Sequence, residues 1–353
     1  MICMTGSKRE VAAKTVGGVI GLAEPSEAAA SPPPFLLDGA VLLASARSGI
    51  SIVARHVAPG CVWMPSYLCR SMLEAVSHAG ARVELYAVDE TLNSVDPDWP
   101  AEVAPGDLVV VIDYFGFAYD RTCIARVKKR GAWILEDASQ ALLSDRDGSA
   151  HFVLYSPHKF LGVPDGGILV AGRDANLPDL KLEPPPSSWW LDAFRARILR
   201  RDFDSRGGSR EWLELFQHVE ATSPNGAFAM SELTQLLLRR CFDYEAIRRQ
   251  RVENYNVLSA GLREYAVFPT LGDGVCPLGF PMRTAKRDRV RRRLFSHEIY
   301  PPVHWALDGV VPRRFSASHR LSAEIMTLPC DQRYCARDMQ RVIEQVSEAL
   351  KAE

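Results

Sequence analysis

Short apolar runs alternate with longer helical patterns between residues 35 and 175. The apolar runs have the length and the β-branched content of buried strands, and they lie at 61–65, 81–88, 107–115, 131–138, 152–156 and 166–172. Helical patterns separate them at 48–56, 66–80 and 122–130. Strands that alternate with helices predict an α/β fold, with a mostly parallel central sheet flanked by helices.

The pattern changes on either side of this region. The first 34 residues are rich in Ala, Ser, Gly and Pro, and they are predicted to form a mobile leader. Residues 176–230 are less regular, and one long basic helical stretch follows at 231–261. A strand at 279–283 and helices at 287–296 and 336–352 predict a smaller α+β domain. The predicted division is a leader at 1–34, a large domain at 35–245 and a small C-terminal domain at 246–353.

Composition excludes several classes of protein. The 353 residues carry 42 Lys and Arg against 43 Asp and Glu, so no nucleic-acid partner is expected. No apolar run reaches the roughly 18 residues of a membrane-spanning helix, so no membrane partner is expected. The eight cysteines form no CxxC pair and no His cluster has zinc-ligand spacing, which predicts reduced thiols, no metal site and a cytoplasmic location.

Two stretches of the chain are rich in arginine, at 195–201 and 283–293. On a helix such residues spread around much of the surface, so solvent-exposed faces are the favoured interpretation. A phosphate-rich partner is the alternative for either stretch, and a subunit contact is a further alternative for the first.

A lysine and an aspartate near strand ends carry the clearest chemical signal. Lys159 lies in SPHKFLGVPDGG between two apolar runs, and Asp137 ends a predicted strand in ILEDASQ. A lysine amine can form a Schiff base with the aldehyde of pyridoxal phosphate and then act as base and acid. A carboxylate can pair with the pyridine nitrogen, and Gly166 and Gly167 let the chain pass close to a ring. A plain surface lysine is the alternative.

The segment SARSGIS at 45–51 carries a second signal. Ser48 and Gly49 stand at the predicted start of a helix, where free N–H groups and the helix dipole favour phosphate. Ser48 as a simple N-cap is the alternative.

Several segments then occur in the order of one known family. They are SGI (48–50), MPSYLC (64–69), EDASQA (136–141), the Lys159 segment, AMSELTQLLL (229–238), YPPVHW (300–305) and LPCDQRY (328–334). Together they resemble the DegT/StrS family of pyridoxal-phosphate aminotransferases, from about residue 36 to the C-terminus. The resemblance implies a fold-type-I transferase that forms a homodimer, with active sites at the subunit interface.

The resemblance also implies roles for individual residues. Lys159 would bind the cofactor covalently, Asp137 would pair with the pyridine nitrogen, and Gln140 would approach the phenolic oxygen or the ring face. The group that would hold the phosphate at the helix start is Ser48, Gly49 and the N–H of Ile50.

The sequence departs from the family pattern at several positions. Leu154 stands where relatives place a phosphate-binding serine, which makes Ser156 the candidate. Ile50 lacks the hydroxyl of the usual threonine, and Ser51 is its predicted partial replacement. The ring-stacking position is Cys69, with Tyr67 as the alternative. The usual Asn and Arg before Met-Ser-Glu are replaced by Ala227 and Ala229, with Asn225 as the residue that would compensate.

The implied function is transfer of an amino group from an amino acid, glutamate or glutamine, to a keto sugar carried on a nucleotide. The departures from the family pattern leave a first alternative open, in which the same scaffold catalyses a dehydration or accepts a ketone that is not a sugar. A second alternative is a non-catalytic regulator that binds pyridoxal phosphate, although such regulators normally carry a DNA-binding module.

Overall fold

The computed structural model describes residues 14–24, 32–77 and 79–351. Its strands are β1 (Val16–Gly17), β2 (Val41–Leu43), β3 (Cys61–Pro65), β4 (Arg82–Tyr86), β5 (Leu108–Ile112), β6 (Trp133–Asp137), β7 (Phe152–Tyr155), β8 (Gly167–Ala171), β9 (Phe280–Arg283), β10 (Ile299–Tyr300) and β11 (Ile325–Leu328). Its helices are α1 (Ala46–Val57), α2 (Arg70–Ser77), α3 (Arg121–Lys129), α4 (Ser187–Arg206), α5 (Glu211–Ala221), α6 (Glu232–Arg240), α7 (Tyr244–Leu262), α8 (Arg287–Ser296), α9 (Ser316–Glu324) and α10 (Ala336–Lys351).

Seven strands form the central sheet, in the order β2-β8-β7-β6-β5-β3-β4. The five strands from β7 to β4 are parallel to one another, whereas β8 is antiparallel to both of its neighbours. All five residues of β5 are buried, as expected for a strand covered by helices on both faces. Ile112 pairs with Asp137 at the ends of β5 and β6, so the polar residues that follow the strands meet at one edge of the sheet.

The second, smaller layer follows α6. Helices α7, α8 and α10 surround the antiparallel pair β9–β11, and their apolar residues form a core of their own. Tyr255, Leu258 and Leu262 of α7 belong to this core. The long helix expected at 231–261 is two helices, α6 and α7, because the chain breaks at 241–243 and the Asp243 side chain caps α7 by accepting from the Ala246 N–H.

The irregular region expected at 176–230 contains the antiparallel-packed helices α4 and α5. The favoured solvent exposure of the first arginine stretch is wrong for two of its members, since Arg197 and Arg200 are each 1% exposed. Arg197 donates to the Ile20 carbonyl at 2.8 Å, and Arg200 donates to the Gly17 carbonyl at 2.9 Å. Arg200 also lies over the ring of Trp212, so both charges are held inside the fold.

Part of the predicted leader is bound to the rest of the molecule. β1 pairs in parallel with β10, and Arg333 donates to the carbonyls of Gly18 and Val19, both at 3.0 Å. Residues 14–24 therefore cross the small domain as a fixed segment, which differs from the mobile leader that their composition predicts. The remainder of the leader prediction, at 1–13 and 25–31, lies outside the described residues.

Two buried carboxylates share one arginine beside the sheet. Arg146 lies 2.6 Å from Asp113 and 2.7 Å from Glu136, and Arg121 also contacts Glu136 at 2.8 Å. Replacing Arg146 by methionine would leave two buried carboxylates undercompensated, so we expect a loss of about 3–5 kcal/mol in the free energy of unfolding, measured by urea denaturation. Arg82→Met, which breaks an exposed pair, is the control and should cost less than about 1 kcal/mol. Equal losses in the two variants would contradict this assignment.

No helix in residues 14–24, 32–77 and 79–351 is long and apolar enough to cross a membrane. The same residues contain no group of three His, Cys, Asp or Glu side chains arranged to hold a metal ion.

Candidate functional site

A cavity of about 680 Å³ opens at the carboxyl ends of the parallel strands. Its walls come from α1, the helix pair α4–α5 and the small domain, so one concave space joins all parts of the fold. Six of the predicted site residues line it: Ile50, Cys69, Asp137, Gln140, Ser156 and Lys159. Three others, Ser48, Gly49 and Tyr67, lie outside its lining.

Lys159 stands on a short 3-10 turn, Pro157–Lys159, that follows β7 directly. Its side chain is exposed to the cavity, and within the described ranges its amine makes no hydrogen bond or ion pair. Two histidines line the same space. Burial and the charge of Lys159 lower the pKa of His304 to about 4, and burial lowers the pKa of His158 to about 4 as well. Both imidazoles are therefore neutral at pH 7, which leaves Lys159 free of cationic neighbours at these two positions.

Asp137 ends β6 at the cavity wall and is 7% exposed. One carboxylate oxygen accepts the Ser139 N–H at 2.9 Å. In the described part of the chain no Lys, Arg or His lies within ion-pair distance of it. A buried carboxylate without a cation is costly, so this position favours a positively charged ligand atom. The protonated ring nitrogen of pyridoxal phosphate fits that requirement.

Gln140 and Ser156 both follow Asp137 in the sequence, and both are buried at the cavity. The side-chain oxygen of Gln140 accepts the Phe115 N–H at 2.8 Å, which fixes the amide against the loop after β5. Ser156 lies 3.4 Å from Nδ1 of His158, a long contact that leaves its hydroxyl available to a ligand.

The helix predicted to start at Ser48 starts two residues earlier. α1 begins at Ala46 with Ser45 as its N-cap, so Ser48 and Gly49 lie at the end of its first turn and not at its beginning. Ser48 is buried against the loop at 224–226, where its hydroxyl accepts the Gly226 N–H at 3.2 Å. A side chain at position 49 would come within 2.5 Å of Leu154, so Gly49 serves the packing of α1 on β7.

The first turn of α1 fits a phosphate group at the corrected position. Among the residues that the structure describes, none accepts a hydrogen bond from the N–H groups of Ala46, Arg47 or Ser48. Gly167 lies directly behind this turn, and a Cβ there would stand 2.5 Å from the Ala46 nitrogen. The absence of a side chain at Gly167 is therefore required for this approach, and free N–H groups face a cavity that also contains Lys159.

The two candidates for the ring-stacking position are separated by the structure. Cys69 lines the cavity, whereas Tyr67 is fully buried and packs against Trp305 with ring centroids 5.4 Å apart. Trp305 lines the cavity and was not among the predicted site residues. The signal for it in the sequence is the YPPVHW segment at 300–305, in which Trp305 is the last residue.

Neither predicted replacement for the missing polar groups reaches the cavity lining. The Ser51 hydroxyl is buried and lies 2.7 Å from the Ala75 carbonyl and 2.8 Å from the side-chain oxygen of Asn225. Asn225 is therefore held against α1 of its own chain. The lost hydroxyl and amide donors are not restored by these two residues.

The helices α4 and α5 add a wall that the sequence did not indicate. It combines aromatic and arginine side chains, namely Arg200, Phe203, Arg210, Trp212 and Phe216. Arg210 pairs with Glu298 at 2.6 Å and lies over the ring of Tyr300, which links this wall to β10. The aromatic side chains suit an apolar ligand group, whereas Arg200 and Arg210 are already paired with Asp204 and Glu298.

No known family model matches this chain, and no curated protein matches it in sequence. Solved structures do match. The aminotransferase TlmJ from Streptoalloteichus hindustanus is 23% identical, with a TM-score of 0.62 over 88% of this chain and 86% of that one. The sugar aminotransferase CalS13 from Micromonospora echinospora is 16% identical, with a TM-score of 0.62 over 93% and 99%. This chain has the aminotransferase fold.

A third structure with this fold is NtdA from Bacillus subtilis, solved with bound cofactor PMP. It is 15% identical, with a TM-score of 0.63 over 89% of this chain and 73% of that chain. These matches confirm the predicted fold class, a fold-type-I α/β sheet with a smaller C-terminal domain.

Proposed function

We propose that this protein is a pyridoxal-phosphate-dependent aminotransferase of the DegT/StrS type, which transfers an amino group from an amino acid to a keto sugar. The observation that carries the proposal is the meeting of three features in one cavity. Within the part of the chain that the structure describes, these are the unpaired amine of Lys159, the buried carboxylate of Asp137 without a cation, and the unpaired N–H groups at the start of α1. Support also comes from CalS13, a sugar aminotransferase, and from NtdA, which holds PMP, the aminated form of the cofactor.

Each feature has a distinct task. When bound, pyridoxal phosphate supplies an electron sink that stabilises negative charge on the substrate carbon. Asp137 holds the positive charge at the ring nitrogen, and the first turn of α1 binds the phosphate. Gln140, fixed by Phe115, positions its amide at the ring. Nζ of Lys159 would take the proton from Cα of the amino donor and deliver it to C4′ of the cofactor, and in the second half-reaction it would move a proton from C4′ to the acceptor carbon.

The finer parts of the proposal concern the partners. The amino donor is glutamate or glutamine, and the acceptor is a keto sugar linked to a nucleotide, in a biosynthetic pathway of amino sugars in the cytoplasm. The volume of about 680 Å³ is in the range of small-molecule sites, and the aromatic side chains of the α4–α5 wall suit the base of a nucleotide. We also propose a homodimer, with the second copy completing the cavity.

The test is a two-step assay on the purified protein. We expect the protein incubated with pyridoxal phosphate to show a visible absorption band, and added glutamate to convert the cofactor to PMP with release of 2-oxoglutarate. A panel of nucleotide-linked keto sugars should then restore the original band. A protein that binds no pyridoxal phosphate would contradict the proposal.

Two outcomes of the same assay favour the alternatives. Loss of water from a sugar without formation of PMP would indicate dehydration. Binding of the cofactor without turnover of any amino donor would indicate a regulator.

A further inference from the structure

We propose that Arg47 binds the phosphate group of the cofactor and replaces the hydroxyl and amide donors that this chain lacks. The inference rests on the proposed function, because it concerns the same cavity. It assigns a role to a residue that neither the sequence pattern nor the resemblance indicated.

The position of Arg47 is electrostatically unusual. It lies in the first turn of α1, where the helix dipole is positive, and no acidic residue stands in that turn. A cation at a helix N-terminus is unfavourable unless an anion lies close to it. Arg47 lines the cavity and is half-buried, and in the described ranges no carboxylate lies within ion-pair distance of it. An anionic ligand at this turn would neutralise the unfavourable interaction between the guanidinium charge and the positive end of the helix dipole.

The Arg47 guanidinium is held in place by one hydrogen bond and still has N–H donors available for a ligand. One of its terminal nitrogens donates to the Glu220 backbone carbonyl at 3.0 Å, which fixes the side chain between α1 and α5. That is the single hydrogen bond of this side chain within the described residues, and a guanidinium has five N–H donors. The remaining donors match the geometry of a phosphate, which arginine binds through two parallel hydrogen bonds.

Apart from the Ser156 hydroxyl, the other polar side chains considered for the phosphate are engaged or missing. Ile50 and Leu154 are apolar, and the hydroxyl of Ser51 faces Ala75 and Asn225. Ser45 directs its hydroxyl to the Pro224 carbonyl at 3.0 Å. A doubly charged phosphate at this turn would otherwise meet backbone N–H groups and few side-chain donors, so Arg47 is the available source of positive charge.

The decisive experiment compares pyridoxal phosphate with pyridoxal, which lacks the phosphate. Dissociation constants are measured by absorbance or fluorescence titration of the apoprotein. For Arg47→Met we expect affinity for pyridoxal phosphate to fall about 10- to 100-fold, with affinity for pyridoxal unchanged, because one charge-assisted contact is lost. Arg47→Lys should recover part of the loss, since it keeps the charge but not the paired donors.

The matched control is Arg291→Met. Arg291 also lines the cavity, and its side chain donates to the Pro301 carbonyl at 3.2 Å, but it belongs to α8 and not to α1. The control should leave the ratio of the two dissociation constants at its wild-type value. An equal effect of the two arginines would overturn the inference, since it would show a general influence of charge in the cavity.

A second readout needs no bound cofactor. Inorganic phosphate should raise the melting temperature of the wild-type apoprotein more than that of Arg47→Met, because it binds the folded state at the same turn. If Arg47→Met keeps the wild-type preference for pyridoxal phosphate over pyridoxal, the inference is wrong although the proposed function stands. If the wild type binds neither compound, the proposed function fails, and the phosphate experiment alone then decides whether Arg47 binds an anion.

Discussion

Lys159→Ala is expected to slow amino transfer by about 100- to 10,000-fold, the range associated with loss of a positioned acid–base group. The reason lies in the position of the amine. It stands in the cavity without a partner in the described residues, and the two neighbouring imidazoles are neutral at pH 7, with pKa values lowered to about 4. We expect the rate of the half-reaction with glutamate, measured as release of 2-oxoglutarate, to show this decrease directly.

Borohydride reduction provides a second measurement of the same change. In the wild type, reduction should fix the cofactor to the peptide that contains Lys159, and mass spectrometry should detect it there. The Lys159→Ala variant should show no such mass. Lys181→Ala is the control, because Lys181 is exposed and outside the cavity lining, and it should behave as the wild type. Cofactor attached to another lysine in the wild type would refute the assignment.

The large domain was predictable because its strands are apolar on both faces. β5 is a continuous apolar run, and β6 begins with three apolar residues before Glu136 and Asp137. In a parallel sheet the polar residues that follow such runs lie at a known edge. That reasoning placed Asp137 and Lys159 near each other from sequence alone. It could not decide which of the edge residues serves the cavity, since Asp113 lies at the same edge and pairs with Arg146.

The helix pair α4–α5 escaped prediction for a physical reason. A helix on a core usually shows an apolar stripe, but α4 turns Arg197 and Arg200 inward, where the backbone carbonyls of the 14–24 segment bind them. Charged residues thus occupy positions that periodicity treats as solvent-exposed. The partner carbonyls lie more than 170 residues away in sequence, so no local pattern reveals them.

The displaced start of α1 has a similar cause. A Ser-Gly pair signals a helix start, and both Ser45 and Ser48 satisfy the preference for serine at that position. Packing decides between them, because Gly49 must lie where α1 crosses Leu154 and Gly167 must lie behind the Ser45–Ala46 turn. Both contacts are tertiary, so the sequence alone does not locate the helix turn that would bind the phosphate.

Asp137→Asn is expected to reduce amino transfer by about 100- to 1000-fold, the range for loss of one preorganised electrostatic contact. The asparagine keeps the shape of the side chain and its oxygen can still accept the Ser139 N–H. It removes the negative charge that holds a proton on the ring nitrogen, while the phosphate contacts at α1 remain. The rate of the glutamate half-reaction should therefore fall much more than the affinity for pyridoxal phosphate.

A cofactor analogue separates this electrostatic role from a structural one. Pyridoxal phosphate methylated at the ring nitrogen carries a permanent positive charge there, so it does not depend on a carboxylate to keep it. We expect the analogue to restore much of the half-reaction in Asp137→Asn. In the wild type the added methyl group meets the carboxylate, so the analogue should bring no gain. If the variant stays inactive with the analogue while circular dichroism shows an intact fold, Asp137 has a task other than holding that charge. Recovery would instead show that the rate depends on the charge of the Asp137 carboxylate, which is buried and has no ion-pair partner among the described residues.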